Sequence, residues 1–170
     1  MRLGKTDRLF PILTLIVLLL AGVTGACSAP RPFDPTRSLG YVPASAATLA
    51  FDTAKRQATT EGKRVLIVAG GEWCRWCHVL DRFLHETPDI DAQWRASFVV
   101  VKFAVGENGE GNPVLDTLPP ASGYPHFWVL AAEGTLIASV ETGALELGND
   151  DYNPRAFRRF LKDYGPIAAR

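Results

Sequence analysis

Apolar residues fall along this chain in two rhythms, and the rhythm changes at glycines and prolines. Between Ala44 and Glu61 they recur at Ala47, Phe51, Ala54 and Ala58, a spacing that turns one face of a helix toward a core. Gly62 is a stop signal for that helix. Val65-Leu66-Ile67-Val68-Ala69 follows as an unbroken apolar run, whose length and β-branching predict a strand buried on both faces. Gly70-Gly71 interrupts it. The helical rhythm returns from Cys74 to Glu86, with Trp76, Val79 and Phe83 in one stripe and Cys77, Leu80 and Leu84 in the next. Two adjacent apolar stripes predict a helix buried over much of its surface. Thr87-Pro88 closes it.

Ile90 to Ala96 fits a short helix, and Phe98 to Val105 is the second strong strand. Strand, helix and strand at this spacing predict a right-handed βαβ unit. Gly106 to Gly123 is long and irregular, a length that often carries function in compact domains. Its Glu107, Glu110 and Asp116 lack the spacing of a calcium loop and read as a solvated segment. His126 to Ala131 and Leu136 to Glu141, joined through Glu133-Gly134, predict an antiparallel hairpin. Asn153-Pro154 is a helix start, a capping residue followed by proline at the first position. Phe157, Phe160, Leu161 and Tyr164 line that last helix, and Gly165-Pro166 ends it. The predicted order is α, β, α, β, β, β, α, one α/β domain over residues 44–170, with no internal repeat.

The segments ahead of residue 44 read differently. Arg2, Lys5 and Arg8 precede an apolar run from Leu9 to Val23, shorter than the ~20 residues of a spanning helix and interrupted by Pro11. Basic residues, a short apolar stretch and small residues after it have the form of a signal peptide over residues 1–26. An uncleaved anchor is the alternative. Val23-Thr24-Gly25-Ala26 leads directly into Cys27 and resembles the lipobox of bacterial lipoproteins. That resemblance implies lipidation of Cys27, with Ser28 directing the chain to the outer membrane. Thr24 and Ala26 depart from the usual residues of that box, and ordinary cleavage after Ala26 would leave Cys27 free. Residues 27–43, with Pro30, Pro32, Pro35 and Pro43, read as a semi-extended tether between membrane and domain.

Composition narrows the partners. Hydrophobic residues make up 47% of the 170, enough to build a core and too many for a disordered chain. The 18 basic residues balance the 18 acidic ones without forming a basic block, so nucleic acid is not an expected partner. Export would place the chain where paired cysteines meet oxidising conditions.

The chemistry concentrates in Trp73-Cys74-Arg75-Trp76-Cys77-His78. Two thiols at C-x-x-C spacing, at the start of a helix, can close a disulfide and open it again. The same residues spell C-x-x-C-H, the signal for covalent haem attachment. Against haem stands the single methionine, Met1, which would leave His85 or His126 as the second axial ligand, and the strand-rich order after the motif. Zinc is a weaker reading, because no second cysteine pair or H-x-x-x-H pair accompanies the first. A helix N-terminus carries about half a positive charge and favours a thiolate at Cys74, and Arg75 adds a full charge beside it.

The element order, the Trp73-Cys74-x-x-Cys77 motif and Tyr124-Pro125 ahead of the hairpin resemble the thioredoxin superfamily over about residues 45–165. Within it, Cys-x-Trp-Cys-His, the long insert before the proline and the polar segment after the hairpin resemble small exported thioredoxin-like proteins, the C-terminal domain of the DsbD reductases, and the short endoplasmic-reticulum members. The resemblance implies a three-layer fold, a central mixed β-sheet flanked by helices. It implies a thiol–disulfide oxidoreductase that acts on cysteine pairs of envelope proteins, as reductase or isomerase rather than oxidase. Cys74 would be the nucleophile and Cys77 the resolving thiol. Electrons would come from, or go to, a membrane partner of its own dithiol, and no cofactor or metal is implied. Pro125 would be cis, and Tyr124 would offer its backbone to an extended substrate, with Trp73 and Trp76 flanking the site. One departure stands out: the buried Asp that thioredoxins carry six residues before the first cysteine is here Val68. Glu72, His78, Asp81 and His126 are the candidates to replace it. His78 shares a helix face with Cys74, and Asp81 is placed to orient its ring. A binding module that kept the fold and lost redox activity is the alternative that Val68 motivates.

Overall fold

The computed structural model of the chain describes residues 32–106 and 111–166. The signal peptide, the lipobox with Cys27 and Ser28, and Glu107 and Glu110 lie outside the described residues. Among those described, no helix is long and apolar enough to cross a membrane.

A four-stranded mixed sheet forms the middle layer. Its strands are β1 (Arg64–Gly70), β2 (Phe98–Ala104), β3 (His126–Leu130) and β4 (Leu136–Glu141), in the order β2-β1-β3-β4. β1 pairs with β2 in parallel, Val68 opposite Lys102, and with β3 antiparallel, Val68 opposite Phe127. The hairpin predicted between β3 and β4 is present, with a register shift at Val129/Leu130. The unbroken apolar run of β1 is buried on both faces, as predicted: Val65, Ile67 and Ala69 enter one core, and Leu66 and Val68 the other. Period-two alternation divides them.

Helix α1 (Ala47–Glu61) covers the first face with Ala47, Ala54 and Ala58 and ends at Gly62, whose φ of 64° is the left-handed cap that glycine adopts without strain. A turn of 3-10 helix precedes it at Ala44–Ala46. The other face carries α2 (Arg75–Glu86), α3 (Pro88–Ser97) and α4 (Pro154–Tyr164). Phe83 of α2, Trp94 of α3 and Phe157 and Phe160 of α4 meet there over Leu66, Val68 and Phe127. Their rings sit 4.9–6.2 Å apart, the range of favourable edge and tilted contacts. Thr87-Pro88 both closes α2 and opens α3, because proline at the first helical position loses no hydrogen bond. Asn153 caps α4 through its side chain, accepting from the amides of Arg155 and Ala156.

Two segments depart from the expectations. Residues 142–152 fold into a 3-10 turn and a two-stranded ribbon, β5 (Glu146–Leu147) with β6 (Asp151–Tyr152); it delivers Tyr152 to the core beside Phe83. The end of the proline-rich segment is not a free tether. Phe33 rests on His85, Arg37 on Asp81 and Leu39 on the two cysteines, so this stretch runs back along one face of α2. Val42 then bridges to Phe103 outside β2 and covers that edge of the sheet.

Candidate active site at the start of helix α2

β1 runs out at Gly70, and the turn through Gly71 to Trp73 delivers Cys74 to the N-cap of α2, with extended backbone (φ −82°, ψ 105°). Sequence reading had Cys74 inside the helix; the structure puts it just ahead, where its sulfur faces amides that no helical carbonyl uses. The Cys77 amide donates to Cys74 Sγ at 3.2 Å. The two sulfurs are joined in a disulfide, with the Cα atoms 5.2 Å apart. Both cysteines are buried.

Tyr124-Pro125 is cis, as the resemblance implied. Tyr124 packs in the same cluster as Cys74 and Cys77, and Trp73 stands edge-on to its ring at 5.8 Å. The Trp73 indole N–H donates to the Val105 carbonyl at 2.9 Å, while 43% of the residue stays exposed. The indole is thus anchored at its nitrogen and still presents part of its ring to solvent beside the disulfide. Trp76 is half-buried and edge-on to Tyr152 at 5.5 Å. The Pro125 carbonyl accepts from Thr142 Oγ1 at 2.7 Å, which ties the 3-10 turn after β4 to the proline. Among the described residues, the backbone of Tyr124 makes no hydrogen bond, so it is available to an extended peptide.

The charged candidates sort differently from the sequence expectations. Val68 is fully buried in the apolar core. Asp81 does not orient His78. It accepts from Arg37 Nε at 2.9 Å and from Arg37 Nη2, and lies 3.7 Å from Lys102 Nζ. His78 instead places Nε2 2.8 Å from the Glu72 carbonyl; a carbonyl only accepts, so Nε2 carries the proton. Glu72 holds the stretch from Arg37 to Val42, a strap along α2 and the sheet edge, accepting from Ser38 Oγ and the Leu39 amide at 2.9 Å each. Arg75 lies over the Trp76 ring and donates to the Asn149 carbonyl at 2.9 Å, which directs its charge to the ribbon. His126 is buried on the α1 side of the sheet, bonded to Ser139 Oγ at 2.8 Å and tilted against the Trp128 ring, centroids 4.4 Å apart. Burial holds its pKa below the usual histidine value, against the pull of Glu141. The His78 ring, which a covalently attached haem would need as its ligand, is turned to the Glu72 carbonyl.

Three contributors escaped the sequence reading. Leu39 and Tyr41 come from the presumed tether and pack directly on Cys74 and Cys77. Lys102 lies beside Val68 across the parallel pair, donates to the Leu39 carbonyl at 3.1 Å and stands 5.8 Å from the Tyr41 ring centre. Burial lowers its pKa and Asp81 opposes that shift. A signal was present: Leu39, Tyr41 and Val42 are apolar among prolines, and Lys102 breaks an otherwise apolar strand.

Comparison with known proteins agrees with this geometry. No curated protein matched the chain. Among solved structures, a disulphide isomerase from Xylella fastidiosa Temecula1 superposes with a TM-score of 0.59 over 78% of this chain and 95% of that one, at 22% identity, a likeness of fold. The family model described as thioredoxin-like matches residues 46–132, from α1 through the redox helix, the cis-proline and β3, and the chain belongs to that thioredoxin-like family.

Proposed function

We propose that the chain is a thiol–disulfide oxidoreductase that exchanges disulfides with cysteine pairs of other exported proteins. The observation that carries this reading is the Cys74–Cys77 pair at the mouth of α2, in one cluster with Tyr124 of the cis bond. In the reduced state the helix N-terminus and the Cys77 amide stabilise a thiolate on Cys74. That thiolate attacks one sulfur of a substrate disulfide and forms a mixed disulfide, and the other substrate sulfur leaves as a thiolate. Cys77 then attacks Cys74 Sγ, restores the internal disulfide and releases the second substrate sulfur. The reverse sequence oxidises a substrate dithiol, and an isomerase uses the first step alone. The free backbone of Tyr124 and the exposed face of Trp73 would hold the substrate chain.

The residues before the domain support an envelope location: a basic start, a short apolar run and small residues ahead of Cys27. Lipidation at Cys27 would tether the domain to a membrane, the outer one by the Ser28 reading, and a membrane dithiol would set its redox state. A reducing or isomerising direction is the working reading and depends on the potential.

Trapping tests the proposal. Cys77→Ser lacks the resolving thiol, so mixed disulfides through Cys74 accumulate in the envelope and mass spectrometry identifies the partners. No adduct above a Cys74→Ser/Cys77→Ser control would sink it. Dithiol-exchange rates equal to those of Cys74→Ser would support a binding module instead, the reading that the buried sulfurs and Val68 favour.

A further inference from the structure

A buried thiol resists ionisation unless a donor meets its sulfur. Cys77 Sγ is buried, Val68 brings only methyls to the core, and Lys102 beside it is engaged by Asp81 and the Leu39 carbonyl. The gap beside Gly70 contains the alternative. A Cβ on Gly70 would lie 2.4 Å from Cys77 Sγ and 2.7 Å from the Tyr41 hydroxyl oxygen. The missing side chain is what lets the two atoms border the same small space.

Tyr41 is held there by backbone. The Val42 amide donates to the Lys102 carbonyl at 2.8 Å and the Ala104 amide to the Val42 carbonyl at 2.9 Å. Its ring packs against Leu39, Cys74 and Cys77.

Resting on the dithiol reading above, we propose that Tyr41 donates a hydrogen bond to the Cys77 thiolate of the reduced site and so supplies the polar partner that Val68 does not. A disulfide sulfur is a weak acceptor and a thiolate a strong one, so the bond forms on reduction. When Cys77 resolves a mixed disulfide, its thiolate forms the bond to Cys74 Sγ. The bond from Cys74 to the substrate breaks, the electron pair leaves on the substrate sulfur, and solvent protonates that sulfur. The substrate disulfide is reduced by two electrons and the site dithiol is oxidised. Tyr41 keeps its proton throughout. Burial raises its pKa well above that of a free tyrosine, with the nearby Tyr152, Glu72 and Asp81 adding to the shift. The other charges around the gap are Lys102 from β2 and Arg37 from the strap.

The test titrates Cys77 as the sole thiol, in the full chain carrying Cys27→Ser and Cys74→Ser, by thiolate absorbance. Adding Tyr41→Phe removes one oxygen and keeps the ring. The expected result is a rise of about one pKa unit, a tenfold loss of thiolate at fixed pH, the scale of a charge-assisted hydrogen bond. In the chain with both active-site cysteines, at a pH where Cys77 is ionised, the glutathione equilibrium of Tyr41→Phe moves about tenfold toward the disulfide, about 30 mV. Leu39→Ala is the packing control. It loosens the same cover, admits water and moves the Cys77 pKa down, so mere loosening and a lost donor have opposite signs. An unchanged or lowered pKa in Tyr41→Phe would overturn the proposal. If the native chain exchanges no disulfides, the oxidoreductase reading fails, and the titration still judges Tyr41 because it needs no turnover.

Discussion

Asp81 is the carboxylate on which strap, helix and sheet converge, and replacing it with Asn separates two energies that the structure superposes. Toward the strap, Asp81 meets Arg37, whose side chain is 51% exposed. An ion pair with one partner in solvent contributes about 1 kcal/mol or less after screening and side-chain entropy. Toward the sheet, it lies 3.7 Å from Lys102 Nζ, with side-chain exposures of 9% and 27%. At that distance the Coulomb attraction is roughly 4–5 kcal/mol for an effective dielectric of ~20. Lys102 keeps its bond to the Leu39 carbonyl and can turn partly to water, which recovers part of the loss. The expected cost of Asp81→Asn is therefore about 2–3 kcal/mol, most of it from an ammonium left without its counter-charge. Arg37→Ala should cost under about 1 kcal/mol. Urea unfolding at neutral pH measures both. The double variant Asp81→Asn/Lys102→Met should regain much of the loss, because it removes the stranded charge along with its partner. Equal costs for Arg37→Ala and Asp81→Asn would refute the reasoning, since the exposed pair would then be the stronger one.

Two further outcomes follow from the site. Gly70→Ala sets a methyl 2.4 Å from Cys77 Sγ, which the disulfide and the helix backbone hold in place. Overpacking of about 1–3 kcal/mol is expected in the oxidised protein and less after reduction, when the thiol can rotate; melting temperatures with and without reductant test this. His126 is neutral in the fold because burial lowers its pKa. The unfolded chain takes up a proton near pH 6.5, so stability contributed by this residue is full above that value and falls as the pH drops toward the folded pKa. His126→Asn should flatten the melting profile below about pH 6.5, and an unchanged slope would exclude His126 as its source.

The parts legible in the sequence are those set by local periodicity and by short-range chemistry. The five-residue apolar run made β1 identifiable because a strand covered on both faces needs no polar alternation. Asn153-Pro154 marked α4 because cap and proline act within one turn. The cysteine spacing located the site for the same reason, although the N-cap position of Cys74 depended on where Gly71 let the chain turn. What escaped was set by distance along the chain. Arg37 and Asp81 are joined across 44 residues, and Lys102 and Leu39 across 63. No periodicity records such pairs. The prolines of the strap signalled an extended backbone correctly, but an extended backbone serves a tether and an edge bridge equally well. Asp81 was assigned to His78 on helical spacing alone, and a nearer cation from outside the helix took it.

The two halves of the strap are held differently, and that difference suits the roles proposed for the two sulfurs. Its first half, Ser38–Leu39, is held by the exposed Glu72 carboxylate and by Leu39 against the cysteines. Lifting Leu39 exposes one leucine side chain, about 1.5–3 kcal/mol, which a docking partner with an apolar surface can return. Its second half, Tyr41–Val42, is stitched into the sheet edge by two backbone hydrogen bonds and has no such release. Gly40 separates the halves with a φ of 73°, a conformation that a side chain at this position would strain. A nucleophile must meet a partner from solution, whereas a resolving thiol must stay in a fixed environment until its neighbour is attacked. Leu39, which packs on both cysteines, is the part that can lift, while Tyr41 beside Cys77 Sγ stays fixed, and this meets both demands. The segment that composition assigned to a spacer therefore completes the site, and truncating the chain at the start of α1 would remove part of the chemistry together with the linker.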